Sequence, residues 1–110
     1  MSEEKRIVKS YEEEMQSLND DLVKMGSLTE SQLSDTIQAI VKIDKEAAEN
    51  IIKNDVQINE LRAKIDDQIS TVLVKRAPMA IDLRTTISSL KISHDLERIG
   101  DLAKSVAKKI

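Results

Sequence analysis

Apolar residues recur every three or four positions along almost the whole chain. In the first stretch Ile7, Tyr11, Met15, Leu18, Leu22, Met25, Leu33, Ile37 and Ile40 keep that spacing, with Thr29 filling one slot. In the second, Ala47, Ile51, Ile58, Leu61, Ile65, Ile69 and Val72 repeat it. The third closes on Ile92, Leu96, Ile99, Ala103, Val106 and Ile110, an unbroken seam. This is the period of an α-helix that buries one stripe. Two places interrupt it. At Lys42-Ile43-Asp44-Lys45 the spacing breaks, and Asp44 can accept a backbone N–H from the next turn as an N-cap. At Arg76-Ala77-Pro78 the proline lacks an N–H and drives its predecessor out of the helical region, while Lys75 and Arg76 suit the carbonyl end of a helix.

The pattern therefore predicts helices over about 3–43, 45–76 and 79–109. Gly26 lies inside the first stripe, but the spacing stays in phase on both sides, so one long helix is expected through it. Short connections place consecutive helices antiparallel and side by side. The expected fold is all-α: one domain over residues 1–110, an elongated, antiparallel, up-down-up three-helix bundle. Helices of 30 residues or more make it a rod of roughly 45–50 Å at 1.5 Å per residue.

Composition narrows the function classes. The 110 residues are 34% charged and 40% hydrophobic, with two Gly, one Pro, no Cys and a single aromatic, Tyr11. Without Cys there is neither a disulfide framework nor a thiolate nucleophile, and a reducing compartment is the default. No apolar run approaches the roughly 18 residues needed to cross a bilayer, so no direct membrane insertion is expected. A net charge of −3 with both signs interspersed argues against nucleic-acid binding, and one aromatic removes the stacking platform of single-strand binders. The runs Glu12-Glu13-Glu14 and Lys108-Lys109 fit solvated faces and helix ends. No Ser/His/Asp arrangement or glycine-rich phosphate loop is present, so the chain is not read as an enzyme.

The third segment is the least ordinary. Steps of 100° per residue put Leu83, Ile87, Leu90, His94, Glu97 and Asp101 in one row, away from the Ile92–Ile99–Val106 seam. Glu97 and Asp101 are one turn apart. Like charges at that spacing repel mildly, so a positive partner nearby, a bound cation among the choices, would relieve them. Asp55 and Asn59 repeat the spacing on the flank of the second stripe. Antiparallel packing brings that end of the second helix level with Glu97 and Asp101. Two pairs of oxygen donors on facing helices can hold a hard metal ion, here with one charge fewer because Asn59 is neutral. The ordinary alternative is a solvated face. Gly100 costs about 1 kcal/mol inside a helix, which close approach of a neighbouring helix would explain. Arg84, with Asp82 beside it, could form a local pair or contact a partner.

Two motifs carry a resemblance. Lys75-Arg76-Ala77-Pro78-Met79-Ala80-Ile81-Asp82-Leu83-Arg84 resembles the Arg-x-Pro-x-Ala-x-Asp-Leu-Arg segment of the PhoU family, and Leu96-Glu97-Arg98-Ile99-Gly100-Asp101, followed by Ala103, resembles its Leu-Glu-Arg-Ile-Gly-Asp signature. Met25-Gly26 and Asp55-x-x-Ile58 fall where the family has similar residues. The likeness runs over nearly the whole chain, which is similar to the N-terminal one of the family's two three-helix repeats. It implies an accessory and negative regulator of phosphate-specific transport and of the phosphate-starvation response, cytoplasmic and peripheral to the inner membrane through its partners. Those partners would be the ATPase and channel of the phosphate ABC transporter and the sensor histidine kinase. It also implies metal clusters on adjacent helices, carried over here to Glu97, Asp101, Asp55 and Asn59, with iron, zinc, manganese or magnesium as the cation. Asn59 stands where the family usually has Asp.

Two other readings are kept beside this one. Ser93-His94-Asp95-Leu96-Glu97-Arg98 echoes a histidine-kinase box, and a helical bundle with an exposed His could serve phosphotransfer through His94. Against that, Ile99 occupies the usual Pro position, and Glu97 places negative charge beside the phosphoryl group. A third metal ligand beside Glu97 suits His94 better than phosphotransfer does, and a plain solvated residue better than either. A purely structural bundle that forms a homo-oligomer through Leu83, Ile87 and Leu90 is the other.

Overall fold

The computed structural model describes residues 2–76 and 80–110. The expected proline stop at Ala77-Pro78 and the start of the last helix at Met79 lie outside the described residues. Three helices are present: α1 (Glu3–Lys42), α2 (Lys45–Arg76) and α3 (Ala80–Ala107). Each packs against both others, as an all-α three-helix bundle requires. The molecule measures 60 × 24 × 16 Å, longer than the expected rod. The 40 residues of α1 alone account for that length at 1.5 Å each.

Local chemistry explains where the helices begin and turn. Ser2 caps α1 by accepting from the Lys5 N–H, and Glu3 and Glu4 occupy its first turn, where negative charge meets the free N–H groups. The helix runs through Gly26 without a break. It ends in a Schellman turn: the Asp44 N–H donates to the Ala39 carbonyl and the Ile43 N–H to the Ile40 carbonyl. Ile43 takes the left-handed conformation (φ 52°, ψ 47°) that this turn demands and that glycine usually supplies. Asp44 then caps α2, its Oδ1 accepting from the Ala47 N–H at 3.0 Å.

The core is built chiefly by α2. Ile51, Ile58, Leu61, Ile65, Ile69 and Val72 are all buried, as the second stripe requires; Ile58, Leu61, Ile65 and Ile69 pack with Leu18 and Met25 of α1, and Ile51 with Ala39 of α1 and Ala107 of α3. On α1 and α3 the buried face differs from the expected stripes. From Tyr11 to Thr29 the α1 stripe faces inward. Beyond it, Gln32, Thr36 and Ala39 are buried, while Leu33, Ile37 and Ile40 are exposed. On α3 the expected seam holds in part: Leu96, Ala103 and Ile110 pack inward, but Ile92, Ile99 and Val106 are 38–49% exposed, and Thr86, Ser89, Ser93, Gly100 and Ala107 face the core beside Ala103. These residues are small enough to let α3 approach its neighbours closely. The hydroxyls of Ser89 and Ser93 need no partner from another helix, because Ser89 Oγ donates to the Thr85 carbonyl and Ser93 Oγ to the Leu90 carbonyl, both at 2.9 Å.

Candidate functional site

Some of the polar groups that the sequence singles out meet inside the bundle, about 15 Å along α1 from its C-terminal end at 1.5 Å per residue, in an unexpected arrangement. Asp55 sits inside the α2 stripe between Ile51 and Ile58, only 1% exposed, rather than on its flank. A buried carboxylate must be paired and hydrogen-bonded. Three groups serve it. Gln32 Nε2 of α1 donates to Asp55 Oδ1 at 2.9 Å, Lys104 Nζ of α3 lies 3.7 Å from Oδ2, and Asn59 Nδ2 donates to Oδ2 at 3.3 Å.

The same Gln32 Nε2 also donates to the Gly100 carbonyl at 2.9 Å, so one amide group links all three helices. Thr36 Oγ1 donates to the Gln32 carbonyl at 2.7 Å and helps hold that turn of α1. Gly100 is where α3 comes nearest to this junction. A Cβ there would stand 3.3 Å from Ile58 Cδ1 and 3.5 Å from Asp55 Oδ1. The expected reason for this glycine, close approach of a neighbouring helix, is what the structure contains.

One turn away, Arg62 Nη1 of α2 donates to Glu97 Oε1 of α3 at 2.5 Å, with both side chains about one fifth exposed. Arg62 Nε is 3.5 Å from Asp66 Oδ2, so the guanidinium serves two carboxylates. Asp101 and His94 are exposed on α3, and Asn59 is exposed on α2.

Of the four residues expected to hold a metal, Asp55 faces the interior, Asn59 spends its amide on Asp55, Glu97 pairs with Arg62, and Asp101 stands in solvent. Among the described residues no group of three or more His, Cys, Asp or Glu side chains is placed to hold a metal ion. In this conformation the donor set does not fit a metal: Asp55 and Glu97 already hold Lys104 and Arg62, and Asp101 faces solvent.

Sequence reasoning missed Gln32, Lys104 and Arg62. Gln32 had a detectable signal, since Met25, Thr29, Gln32, Thr36 and Ala39 form a row with helical spacing beside the Leu33–Ile37–Ile40 row. Choosing the more apolar row hid it. Of the proline-containing motif, the side chains from Arg76 to Asp82 carry no structural account, and Arg84 is exposed at the start of α3.

A long all-α bundle with a buried polar junction tying three helices defines an elongated three-helix bundle protein. No helix among the described residues is long and apolar enough to cross a membrane. Within that class the chain belongs to the PhoU family: the PhoU domain model matches residues 22–110. It is 39% identical over 102 residues, 93% of this chain, to the phosphate-specific transport system accessory protein PhoU homolog of Caulobacter vibrioides. Against the homolog of the same name from Clostridium acetobutylicum it is 37% identical over 103 residues. A crystal structure of PhoU from Pseudomonas aeruginosa superposes with a TM-score of 0.87 at 37% identity, covering 90% of this chain and 47% of that one. The chain spans 44% of the length of the Caulobacter relative and 47% of the Clostridium one.

Proposed function

We propose that this chain is a PhoU-type accessory module of a phosphate-specific transport system, a non-catalytic adaptor that contacts the transporter's ATPase and the sensor histidine kinase and restrains the phosphate-starvation response from the cytoplasmic side of the membrane. The observation that carries this reading is similarity over more than nine tenths of the chain to accessory proteins of such systems, together with the match to the family model over residues 22–110. A rigid rod suits the role, because it can present separate surfaces to two partners. The test is complementation. Expressed in a bacterium lacking its own PhoU, the chain should restore repression of a phosphate-starvation reporter in phosphate-rich medium, and the purified chain should bind the isolated ATPase and the kinase. Unchanged reporter output together with no binding to either partner refutes the proposal.

Metal binding through Asp55, Asn59, Glu97 and Asp101 forms a separate arm of the same reading. For iron, zinc, manganese or magnesium to bind there, Lys104 and Arg62 would have to release their carboxylates. The donor arrangement favours an adaptor whose internal cations replace a metal. Titration of the metal-stripped chain with each ion decides between them. Stoichiometric binding that Glu97→Ala/Asp101→Ala abolishes establishes the metal site; no binding leaves the adaptor working on its own ion pairs.

A further inference from the structure

Large aliphatic side chains stand exposed at one end of the rod. Ile40 and Val41, in the last turn of α1, are 46% and 77% exposed, and Ile43, in the turn to α2, is 73% exposed. Among the described residues Ile43 is also the one non-glycine residue with positive φ. Glycine would meet the needs of that turn with less backbone strain. An isoleucine there strains the backbone and gains almost no packing within the chain, so the fold alone does not account for its side chain. Strain kept at an exposed position points to a contact made outside the molecule.

The charge around these residues suggests with what. Lys42 and Lys45 flank Ile43 in sequence. Lys108 and Lys109 join them from the end of α3, because Ala107 and Ile110 pack with Ala39 and Ala48 beside the same turn. All four lysines are exposed, and none has an ion pair among the described residues. Against them stand Glu46 and Asp44, whose carboxylate accepts from the Ala47 N–H as the cap of α2. This end is therefore net positive, in a chain whose net charge is −3. A basic collar around exposed aliphatic residues suits the boundary between anionic headgroups and acyl chains. The dimensions agree: Ile40 to Ile43 take up about 5 Å of the rod, and an interfacial contact reaches about 5–10 Å deep. We propose that the α1–α2 turn is a lipid contact, in which Ile40, Val41 and Ile43 enter the headgroup region of an anionic bilayer and the four lysines hold its negative charge. The turn lies on the bilayer without crossing it, as no helix among the described residues is long and apolar enough to span one. The contact is independent of any binding to the ATPase or the kinase.

Cosedimentation of the full 110-residue chain with vesicles is the test, using phosphatidylcholine alone and phosphatidylcholine mixed with phosphatidylglycerol. The chain should pellet with the mixed vesicles, bind the neutral ones at least about tenfold more weakly, and lose affinity as salt is raised. Lys42→Gln/Lys45→Gln should weaken binding at least about tenfold, since each lysine near such a surface contributes roughly fivefold. Ile43→Gly should weaken it about tenfold through lost apolar contact, while leaving the melting temperature no lower than that of the parent chain. That opposition separates a lost lipid contact from a lost fold. Val23→Ser, at a 63% exposed position about 30 Å further along α1, should bind like the parent. Equal binding to both kinds of vesicle, binding indifferent to Ile43→Gly, or an equal loss with Val23→Ser overturns the proposal. No binding to any vesicle also overturns it, and assigns the turn to a protein partner with an acidic rim.

Discussion

Replacing Gln32 by methionine keeps the length and most of the volume of the side chain and removes only its hydrogen-bonding group. Two bonds disappear together: the one to the ionised Asp55 and the one to the Gly100 carbonyl. A hydrogen bond to a charged group contributes about 1.5–3 kcal/mol and a neutral one about 0.5–1.5. The carbonyl can keep its own helical partner, so its share falls at the low end, whereas the buried carboxylate has only Asn59 and a distant Lys104 to fall back on. Gln32→Met should therefore lower unfolding stability by about 2–4 kcal/mol, a large part of the 5–15 kcal/mol typical of a domain. Urea denaturation followed by circular dichroism measures it, with an unchanged m-value showing that only stability moved. Gln16→Met supplies the control. Gln16 donates to Asp20 at 2.8 Å on the exposed face of the same helix, and its loss should change stability by less than about 0.5 kcal/mol. The two effects should also couple: in an Asp55→Leu background most of the Gln32→Met loss should vanish. Equal effects at Gln32 and Gln16, or additivity with Asp55→Leu, would show that the junction contributes nothing special.

Other expectations follow from single observations. Thr29 is buried with no hydrogen-bond partner for its hydroxyl among the described residues, so Thr29→Val should raise stability by about 1 kcal/mol in the same urea assay. Ile43 is 73% exposed and left-handed, so Ile43→Gly loses little packing and should gain about 1 kcal/mol, seen as a higher melting temperature. At Gly100 the nearest obstacle to a Cβ is the flexible end of Ile58; Gly100→Ala should stay within about 1 kcal/mol, as helix propensity offsets the crowding. Gly100→Leu should lose at least 2 kcal/mol, on the order of a severely overpacked core. Arg62→Met should lose about 1 kcal/mol at low salt and less at 1 M, because the Glu97 pair is partly exposed and screening weakens it.

The two parts of the bundle differ in how legible they were. In α2 the apolar positions are large, branched and alone on their face, so periodicity alone identified the core from Ile51 to Val72. The Ile43-Asp44 turn was readable for a similar reason, since it breaks that period and offers a cap. In α3 two rows compete. Hydropathy favours Ile92, Ile99 and Val106, but packing volume favours Ser93, Gly100 and Ala107, because only small residues let α3 sit close to both neighbours. Spacing measures apolarity and cannot weigh how near two backbones approach. Asp55 illustrates the same limit. Four-residue spacing with Asn59 suggested an outward pair of ligands, whereas its place between Ile51 and Ile58 in the stripe already pointed inward. Its partners, Gln32 and Lys104, come from 23 residues before and 49 residues after it and share no local pattern with it.

The small-residue face of α3 has a consequence for how the bundle keeps its shape. A helix whose contact surface is nearly smooth meets little resistance when it slides along its neighbours or rolls about its own axis, since few side chains interlock to oppose the shift. Its position must then be fixed from elsewhere. The contacts of Gln32 with the Gly100 backbone and of Lys104 with Asp55 act as a single indexing pin nearer the α1–α2 turn than the other end of the rod. Displacement of α3 by one turn would carry Gly100 away from Gln32 and strand the Asp55 carboxylate, so α3 has one strongly favoured position instead of a continuum.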